Sequence, residues 1–405
     1  MEKWFRIIKN KFYVIAIAIL VVYPKLLHAQ DSISNQLHGQ DSITGNWSMN
    51  GYITNMQSFM FQNVNKDWVS DNLVHNRLNF HWNSTSNVFG LTVELRNRLI
   101  SGESIKSIPN YIRTSTSDNG WVNLSVNFAS GNSYVLTSKI DRAYFDLTLD
   151  KLQLRIGRQR INWGQCAVWN PNDLFNTYSF FDFDYIEKPG SDAVRLQYYT
   201  GNSSSAEMAV KADKYNRITA AGLYRFNLLS YDIQLLGGLM NSEDYVLGAG
   251  WTGNLGNAAF TGEFSYFHPI KNFIDSIGIV AISVGSNYTF SNSFTLQAEL
   301  LYNQQRKSIS SFTDYYNMNL SAKNLSFSKF TAMLQGSYPI TPLLNVSLSG
   351  MYFPDIDGYF AGPSLSYSLT ENLDFSILAQ SFTGKFSAGT SQTFNFIFLK
   401  VKLNF

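Results

Sequence analysis

Apolar and polar side chains alternate in one short segment after another from residue 46 to residue 405, and no helical pattern interrupts them. This is the period of a β-strand, whose successive side chains lie on opposite faces. In one segment Phe89, Leu91 and Val93 alternate with Thr92 and Glu94. A sandwich would need a second core, and none is evident. Because a membrane tolerates no unpaired strand edges, the repeat predicts an all-β fold, a closed transmembrane antiparallel β-barrel.

The composition agrees with a barrel that has a lipid-facing side and a wet interior. Aromatic residues make up 15% of the chain and charged residues only 15%, whereas soluble domains average about 25% charged residues. After the first thirty residues no run of 18 apolar residues occurs, which excludes membrane-spanning helices. Abundant Asn, Ser, Gly and Thr suit the polar interior of a barrel.

The connections predict the number of strands. Eight short turns are expected near residues 83–87, 149–151, 200–205, 227–230, 253–257, 290–293, 339–342 and 369–373. Longer connections lie between them, at 100–138, 161–192 and 304–325. Short periplasmic turns and longer outer loops are typical of outer-membrane barrels. We therefore predict about eighteen strands with both termini in the periplasm. The alternating run 121–128 is interpreted as a strand above the membrane, because another spanning strand would make the count odd.

The N-terminal segment has the pattern of a secretory signal peptide. Basic residues precede the apolar run 12–22, and an A-x-A type site ends at Ala29. An uncleaved anchor helix is the alternative, but the run is short for a span of about 20 residues. The predicted organisation is a signal peptide at 1–29, a periplasmic extension at 30–45 and the barrel at 46–405.

Removal of the leader changes the net charge. The 31 basic and 29 acidic residues of the whole chain become 26 and 28, because the leader carries five basic residues and one acidic residue. The mature net charge of −2 gives no support to nucleic-acid binding.

The end of the chain resembles the signal that the barrel-assembly machinery reads in bacterial outer-membrane proteins. Ile397, Leu399, Val401, Leu403 and Phe405 share one face of the last predicted strand. With the leader, this places the chain in the outer membrane of a Gram-negative-type cell. The expected partners are outer-membrane lipid and lipopolysaccharide, the barrel-assembly machinery, which would read Phe405, and the transported solute. The sequence does not indicate the oligomeric state.

The third outer connection, loop 161–192, is unusually aromatic for a loop in open water. Trp163, Trp169, Tyr178, Phe180 and Phe181 lie within it. Exposed apolar patches of this size are uncommon unless they are buried or bound. We therefore expect this loop to fold into the barrel lumen, where it would bury the rings and narrow the pore.

Charged residues are distributed unevenly along the predicted strands. The early strands have inward-facing arginines, namely Arg77, Arg96, Arg98, Arg142, Arg155 and Arg195. The loop carries the carboxylates Asp173, Asp182, Asp184 and Glu187. Opposed charges across a narrow gap would create a transverse field that selects among solutes. Structural ion pairs that hold the loop, with Glu94 and Asp146 as further partners, are an equally good interpretation.

Two further arginines do not fit the alternation. Arg158 and Arg160 have the lipid-facing parity of Leu154 and Ile156. Either a bulge shifts the register after Gly157, or the strand has left the membrane at that point.

Residues 155–199 resemble the hallmark region of the alginate-export and related porin-like families. The matching residues are Gly157-Arg158-Gln159, Trp163-Gly164, and Gly190, Asp192 and Arg195. The resemblance covers about a ninth of the chain. It implies an eighteen-stranded barrel with an arginine-lined path for anionic sugars or small anions.

Residues suited to catalysis or metal binding are scarce. His75 and His81 share a face, but six residues of strand separate them by about 20 Å, too far to bind one metal. Cys166 is the only cysteine, and no neighbouring group would lower its pKa. We therefore predict no catalytic residues, no metal and no cofactor. The favoured function is a passive channel for small polar or anionic solutes. Alternatives are exopolysaccharide export or surface polysaccharide binding, and then an outer-membrane hydrolase.

Overall fold

The strands of the chain form one antiparallel sheet that closes on itself. The computed structural model describes residues 45–65, 68–176, 187–305, 321–385 and 389–405. Within these ranges the strands are β1 (Gly45–Phe61), β2 (Val69–Ser84), β3 (Phe89–Gly102), β4 (Ser125–Ser130), β5 (Tyr134–Leu149), β6 (Leu152–Gln159), β7 (Ser191–Gly201), β8 (Ser204–Ala212), β9 (Ile218–Leu228), β10 (Tyr231–Met240), β11 (Asp244–Leu255), β12 (Ala258–Pro269), β13 (Ile279–Thr289), β14 (Thr295–Asn303), β15 (Phe330–Thr341), β16 (Leu344–Phe353), β17 (Gly358–Thr370), β18 (Leu373–Lys385) and β19 (Ser391–Asn404).

Closure comes from the first and last strands. β1 pairs with β19 from Tyr52↔Asn404 to Phe61↔Asn395. Each of the other barrel strands pairs with the strands before and after it in chain order. A closed ring leaves no unpaired edge, which is the condition that a bilayer imposes. The predicted closed antiparallel barrel of eighteen strands is confirmed.

The six-residue strand β4 lies outside the ring. β3 pairs directly with β5 along most of its length, and β4 pairs only with residues 135–139 of β5. The alternating run 121–128 therefore contributes a short additional strand, and eighteen of the nineteen strands make the barrel.

The two ends of the barrel differ. All eight predicted short turns join consecutive strands at one end, which we call the short-turn end. The opposite, long-loop end carries the connections 103–133, 160–190 and 304–329. The first includes the short helices α1 (Ser104–Ser107) and α2 (Tyr111–Ser115), and a 3-10 turn covers Pro354–Ile356. No helix in the described ranges is long and apolar enough to cross a bilayer.

The two faces of the strands have opposite character. Leu196, Val210 and Leu300 are exposed on the outward face. On the inward face Glu207 and Gln234 are buried. Alternation in sequence thus becomes an apolar outer surface around a polar interior.

The register around Arg158 is regular. β6 pairs with β5 from Leu152 to Arg158 and with β7 from Leu152 to Gln159, in both cases without a shift, so no bulge follows Gly157. The strand instead ends at Gln159, and Arg160 lies beyond it. Arg158 is buried against Asp118 and Asp192, at N–O distances of 2.6 and 2.7 Å.

Candidate functional site

Two inward-facing glutamates bind the backbone of the connection between β6 and β7, which contains loop 161–192. We call Glu263 of β12 and Glu299 of β14 the anchor carboxylates. Glu263 accepts hydrogen bonds from the backbone N–H groups of Gln165, Cys166 and Asn172. Glu299 accepts from the backbone N–H groups of Ala167 (3.1 Å), Val168 (3.0 Å) and Trp169 (2.7 Å). A glutamate side chain offers two acceptor oxygens to neighbouring N–H groups. Six hydrogen bonds of this kind hold residues 165–172 on the inward face of β12–β14.

Small residues on the neighbouring strands make room for this segment. Ala193, Ala209 and Ala221 are buried inward-facing positions of β7, β8 and β9. On β11, a Cβ added to Gly248 would lie 2.7 Å from Oδ1 of Asn172, and one added to Gly250 would lie 2.8 Å from Oε1 of Gln165. Small side chains on these strands therefore leave space in the lumen, and the loop occupies this space.

Large apolar rings of the loop fill that space. Trp163 is fully buried and packs edge-to-face on Phe175, with ring centroids 4.8 Å apart. Its indole Nε1 donates to Oε1 of Glu207 at 2.7 Å, so the buried ring keeps a partner for its polar atom. Burial of these rings on the strands explains how an aromatic loop is accommodated.

The last part of the same connection contacts a different region of the barrel. Tyr52 of β1 donates its hydroxyl to Glu187 at 2.9 Å, and Nε of Arg77 on β2 lies 3.9 Å from the same carboxylate. Arg142 of β5 donates to the carbonyl oxygens of Glu187 (2.6 Å) and Lys188 (2.7 Å). β2 is second and β12 eleventh in the ring of eighteen. The described parts of this connection therefore contact opposite sides of the barrel.

Most of the six predicted arginines pair with acids on the strands. Arg77 contacts Glu94 and lies 2.8 Å from Asp141, and Arg96 lies 3.3 Å from Asp141. Asp141 is the extra residue of a β-bulge opposite Glu94 and Leu95. A bulge changes the facing of the residues around it, so Asp141 and Arg142 both reach inward partners. Simple alternation could not predict this arrangement.

Of the remaining arginines, Arg155 and Arg195 lie closer to the short-turn end, whereas Arg98 lies nearer the long-loop end. Arg155 contacts Asp146 at 2.6 Å, and Arg195 contacts Glu207 at 2.8 Å. Arg155 and Arg195 are register partners, and Arg98 stands opposite Thr137 on β5. We call the inward face of β2–β7 the basic wall. Its charges are largely balanced by neighbouring carboxylates.

The four predicted loop acids lie in different places. Glu187 is beside Arg77, as described above. Asp173 is fully buried near Lys211 and Lys188. Asp182 and Asp184 lie outside the described residues.

The anchor carboxylates were not recognised as functional from the sequence. They are two of the few inward-facing acids on strands with hardly any inward basic residues. The signal that could have identified them is an inward-facing acid with no basic residue on the same part of the barrel wall. Such an acid can accept hydrogen bonds from the backbone N–H groups of a loop that folds into the lumen.

Two other connections cover the interior at the long-loop end. Leu325 and Phe327 pack on an inward apolar cluster from β15 to β19 that includes Met333, Phe353 and Phe382. Ile105 of α1 packs on Leu73, Ile100 and Val135. The alternation alone did not predict apolar residues on the inward face.

Within the described residues no group of three or more His, Cys, Asp or Glu side chains could hold a metal ion. Cys166 is buried, and its thiol lies 3.7 Å from the carbonyl oxygen of Ser283. Burial raises the pKa of this thiol, which disfavours the reactive thiolate.

Solved structures with the same fold are porins of the Occ group. OccAB4 of Acinetobacter baumannii matches with a TM-score of 0.52 at 13% identity, covering 88% of this chain and 98% of that chain. OccK5 (OpdH) of Pseudomonas aeruginosa matches at 0.55 and 10% identity, with coverages of 88% and 98%. OccAB2 of Acinetobacter baumannii matches at 0.56 and 9% identity, with the same coverages.

No protein-family model and no curated protein matches the sequence. At these low identities, the likeness to Occ porins shows the fold alone. The comparisons support a porin-like barrel, but not specifically the alginate-export families.

Proposed function

We propose that this protein is an outer-membrane channel for the passive diffusion of small polar or anionic solutes, with its lumen constricted by loop 161–192. The observation that carries the proposal is the path of this loop. Its residues 165–172 are bound by Glu263 and Glu299, and its residue Glu187 contacts Tyr52 and Arg77 on the opposite side. A segment that contacts opposite walls of a closed barrel lies across the bore.

The charge arrangement favours a channel over an enzyme. Arg77, Arg155 and Arg195 each have a carboxylate partner. Paired charges near water interact at an effective dielectric of about 20, which is worth a few kcal/mol at about 4 Å. An interaction of this strength is enough to keep the paired side chains in place. Because the charges of each pair largely cancel, the electric field across the lumen is modest. Polar solutes, including anions, can then pass without a deep binding well.

The proposed constriction consists of two groups. The basic wall contributes Arg77, Arg96, Arg98, Arg142, Arg155 and Arg195, and the loop contributes Asp173, Asp182, Asp184 and Glu187. Of these, Asp173 is fully buried and shapes the constriction without facing the solute. The contacts of Glu187 with Arg77 and Arg142 support this grouping.

Removal of the anchor carboxylates provides the test. In planar bilayers, the double variant Glu263→Gln, Glu299→Gln should conduct more than the wild type, because each amide offers one acceptor oxygen instead of two and the more weakly bound loop leaves the bore. We expect an increase of about twofold or more, since a wider bore is limited less by its narrowest section. Glu371→Gln, in an exposed turn between β17 and β18, is the matched control.

A barrel of the variant that inserts normally and conducts like the wild type would show that the loop does not restrict the bore. Absence of any wild-type conductance would reject the channel itself.

Export of an exopolysaccharide is the second candidate. It follows from the resemblance of residues 155–199 to the alginate-export families, and the register places Arg155 beside Arg195 on the inward face. Loss of a surface polymer from a deletion strain, restored by the wild type but not by an Arg155→Ala, Arg195→Ala variant, would favour export over diffusion.

A further inference from the structure

Three adjacent strands of the barrel contain no charged residue on either face. These are β15, β16 and β17, with 12, 10 and 13 residues. Their outward face is apolar, with Leu334 and Leu348 exposed. Near the long-loop end their inward face carries Met333, Met351 and Phe360, which are buried under the loops.

Toward the short-turn end the inward face of the same strands becomes rich in hydroxyl groups. Ser337, Ser347 and Ser364 each lie four residues from one of those inward-facing apolar residues, so they share its face. They are also register partners, Ser337 with Ser347 and Ser347 with Ser364. We call the inward-facing residues Ser337, Asn345, Ser347, Ser364 and Ser366 of these strands, together with Ser376 of the adjacent β18, the hydroxyl wall.

Members of the hydroxyl wall bond mainly to one another. The hydroxyl oxygens of Ser347 and Ser364 are 2.6 Å apart, and Ser337 donates to Oδ1 of Asn345 at 3.1 Å. Ser376 donates to Ser366 at 3.4 Å. A hydroxyl can donate one hydrogen bond and accept two, so a serine pair keeps one donor and several lone pairs for a visiting group. All of these side chains except the partly exposed Asn345 amide are hydroxyls, and none carries a charge.

The hydroxyl wall lies opposite the charged row of the interior. β16 is fifteenth and β7 sixth in the ring of eighteen, a separation of half the circumference. The facing strands β6 and β7 carry Arg155 and Arg195, both paired with carboxylates. A solute near β15–β17 therefore contacts uncharged hydroxyl groups. The arginines on the opposite side already form ion pairs with carboxylates.

We infer that the hydroxyl wall is a binding track for uncharged, polyhydroxylated solutes such as sugars and polyols; this inference rests on the proposed channel function. Exchange of a water for a solute hydroxyl on a serine costs little, because the hydrogen bonds lost and gained are of the same kind. Repeated hydroxyls on neighbouring strands let a polyol keep such bonds as it advances. A solute without O–H or N–H groups has no donor for the serine lone pairs.

The test is osmotic swelling of proteoliposomes with xylitol and with glycine betaine, a similarly small solute of no net charge that has no hydroxyl group. Wild-type barrel should admit xylitol faster than glycine betaine. The triple variant Ser337→Ala, Ser347→Ala, Ser364→Ala should admit xylitol about three- to tenfold more slowly, since weak hydrogen bonds are lost at three positions. Its potassium chloride conductance and glycine betaine rate should not change.

Two further variants distinguish loss of the hydroxyl groups from other effects of substitution. Ser347→Thr, Ser364→Thr keeps the hydroxyls and should retain the xylitol preference. Ser286→Ala makes the same change on an exposed, outward-facing serine and should behave like the wild type. An unchanged xylitol rate in the triple variant, or an equal loss for both solutes, would overturn the inference. Either result with normal salt conductance leaves the channel proposal intact, whereas a wild type without conductance rejects the channel.

Discussion

At the scale of single residues, the interior is organised by carboxylates. Asp141 lies between Arg77 and Arg96, and Glu207 contacts both Arg195 and Trp163. A buried arginine is costly unless an acid with good geometry accompanies it. The anchor carboxylates serve a different purpose, because their partners are peptide N–H groups. Acids on this barrel therefore hold both side chains and a loop backbone in place.

Asp173 should make the loop sensitive to pH. Burial raises its pKa to about 6, against the opposing effect of Arg160, Lys211 and Lys188. Because the pKa in the packed loop is above the ordinary value of about 3.9, ionisation disfavours the packed state. The destabilisation begins above about pH 4 and is complete above about pH 6.

We expect the single-channel current to fluctuate more at pH 7.5 than at pH 5, as recorded in planar bilayers, because the packed loop is weaker at the higher pH. Asp173→Asn, which is neutral at both pH values, should show a smaller difference in current fluctuation between the two. A pH dependence that persists unchanged in this variant would assign the effect to another group.

At the scale of elements, Asp118 helps to attach the connection between β3 and β5 to the rim, together with Asp192, which accepts from the backbone N–H of Val122, and Asp71, which accepts from that of Ser104. Asp118 contacts Arg158 at 2.6 Å and Lys139 at 3.3 Å, and it accepts from the backbone N–H groups of Gly120 and Leu124. Burial alone would raise the pKa of Asp118, but Lys139, these two N–H groups and Arg158 together lower it to about 2. Its stabilising effect is thus present above about pH 4 and is lost as the pH falls toward 2.

Asp118→Asn should loosen residues 116–130 without opening the barrel. At pH 7 we expect hydrogen exchange in this segment to accelerate about tenfold to a hundredfold, since a pKa depressed by about two units corresponds to roughly that factor. The exchange of β12 should not change. Asp275→Asn, in the exposed connection after β12, is the control. If residues 116–130 exchanged at the wild-type rate, Asp118 would not hold this connection.

At the scale of the whole molecule, closure by β1 and β19 determines that both chain ends leave the barrel at or near the short-turn end. β1 begins at Gly45 opposite Ser84, the last residue of β2 before a short turn, and β19 ends at Asn404 opposite Tyr52. If barrel assembly follows the usual outer-membrane orientation, the short-turn end is periplasmic.

Epitope insertions would check the orientation. A tag after Asp275, at the long-loop end, should be accessible to antibody on intact cells, whereas a tag after Pro342, in a short turn, should be accessible only after the outer membrane is broken. Antibody labelling of unbroken cells through the second tag would reverse the orientation.

Assembly should depend on the terminal aromatic residue. Phe405→Asp should reduce the amount of folded barrel in the outer membrane severalfold, because the final strand both closes the ring and presents the expected assembly signal. Phe405→Tyr keeps an aromatic ring and should assemble normally. Folded barrel can be measured by its altered mobility on gels without heating. Equal amounts for wild type and Phe405→Asp would argue against a role for this residue.

The sequence alone determined the barrel, its eighteen strands and all eight short turns, because alternation and turn residues are local patterns with one simple geometric meaning. It also predicted that the aromatic loop 161–192 must be buried. Tertiary structure decided the rest. The bulge at Asp141 sets which residues face inward, and local alternation does not reveal it. The choice of Glu263 and Glu299 as acceptors depends on which strands stand across the bore from β2. Such partners are distant in sequence and become neighbours only when the ring closes.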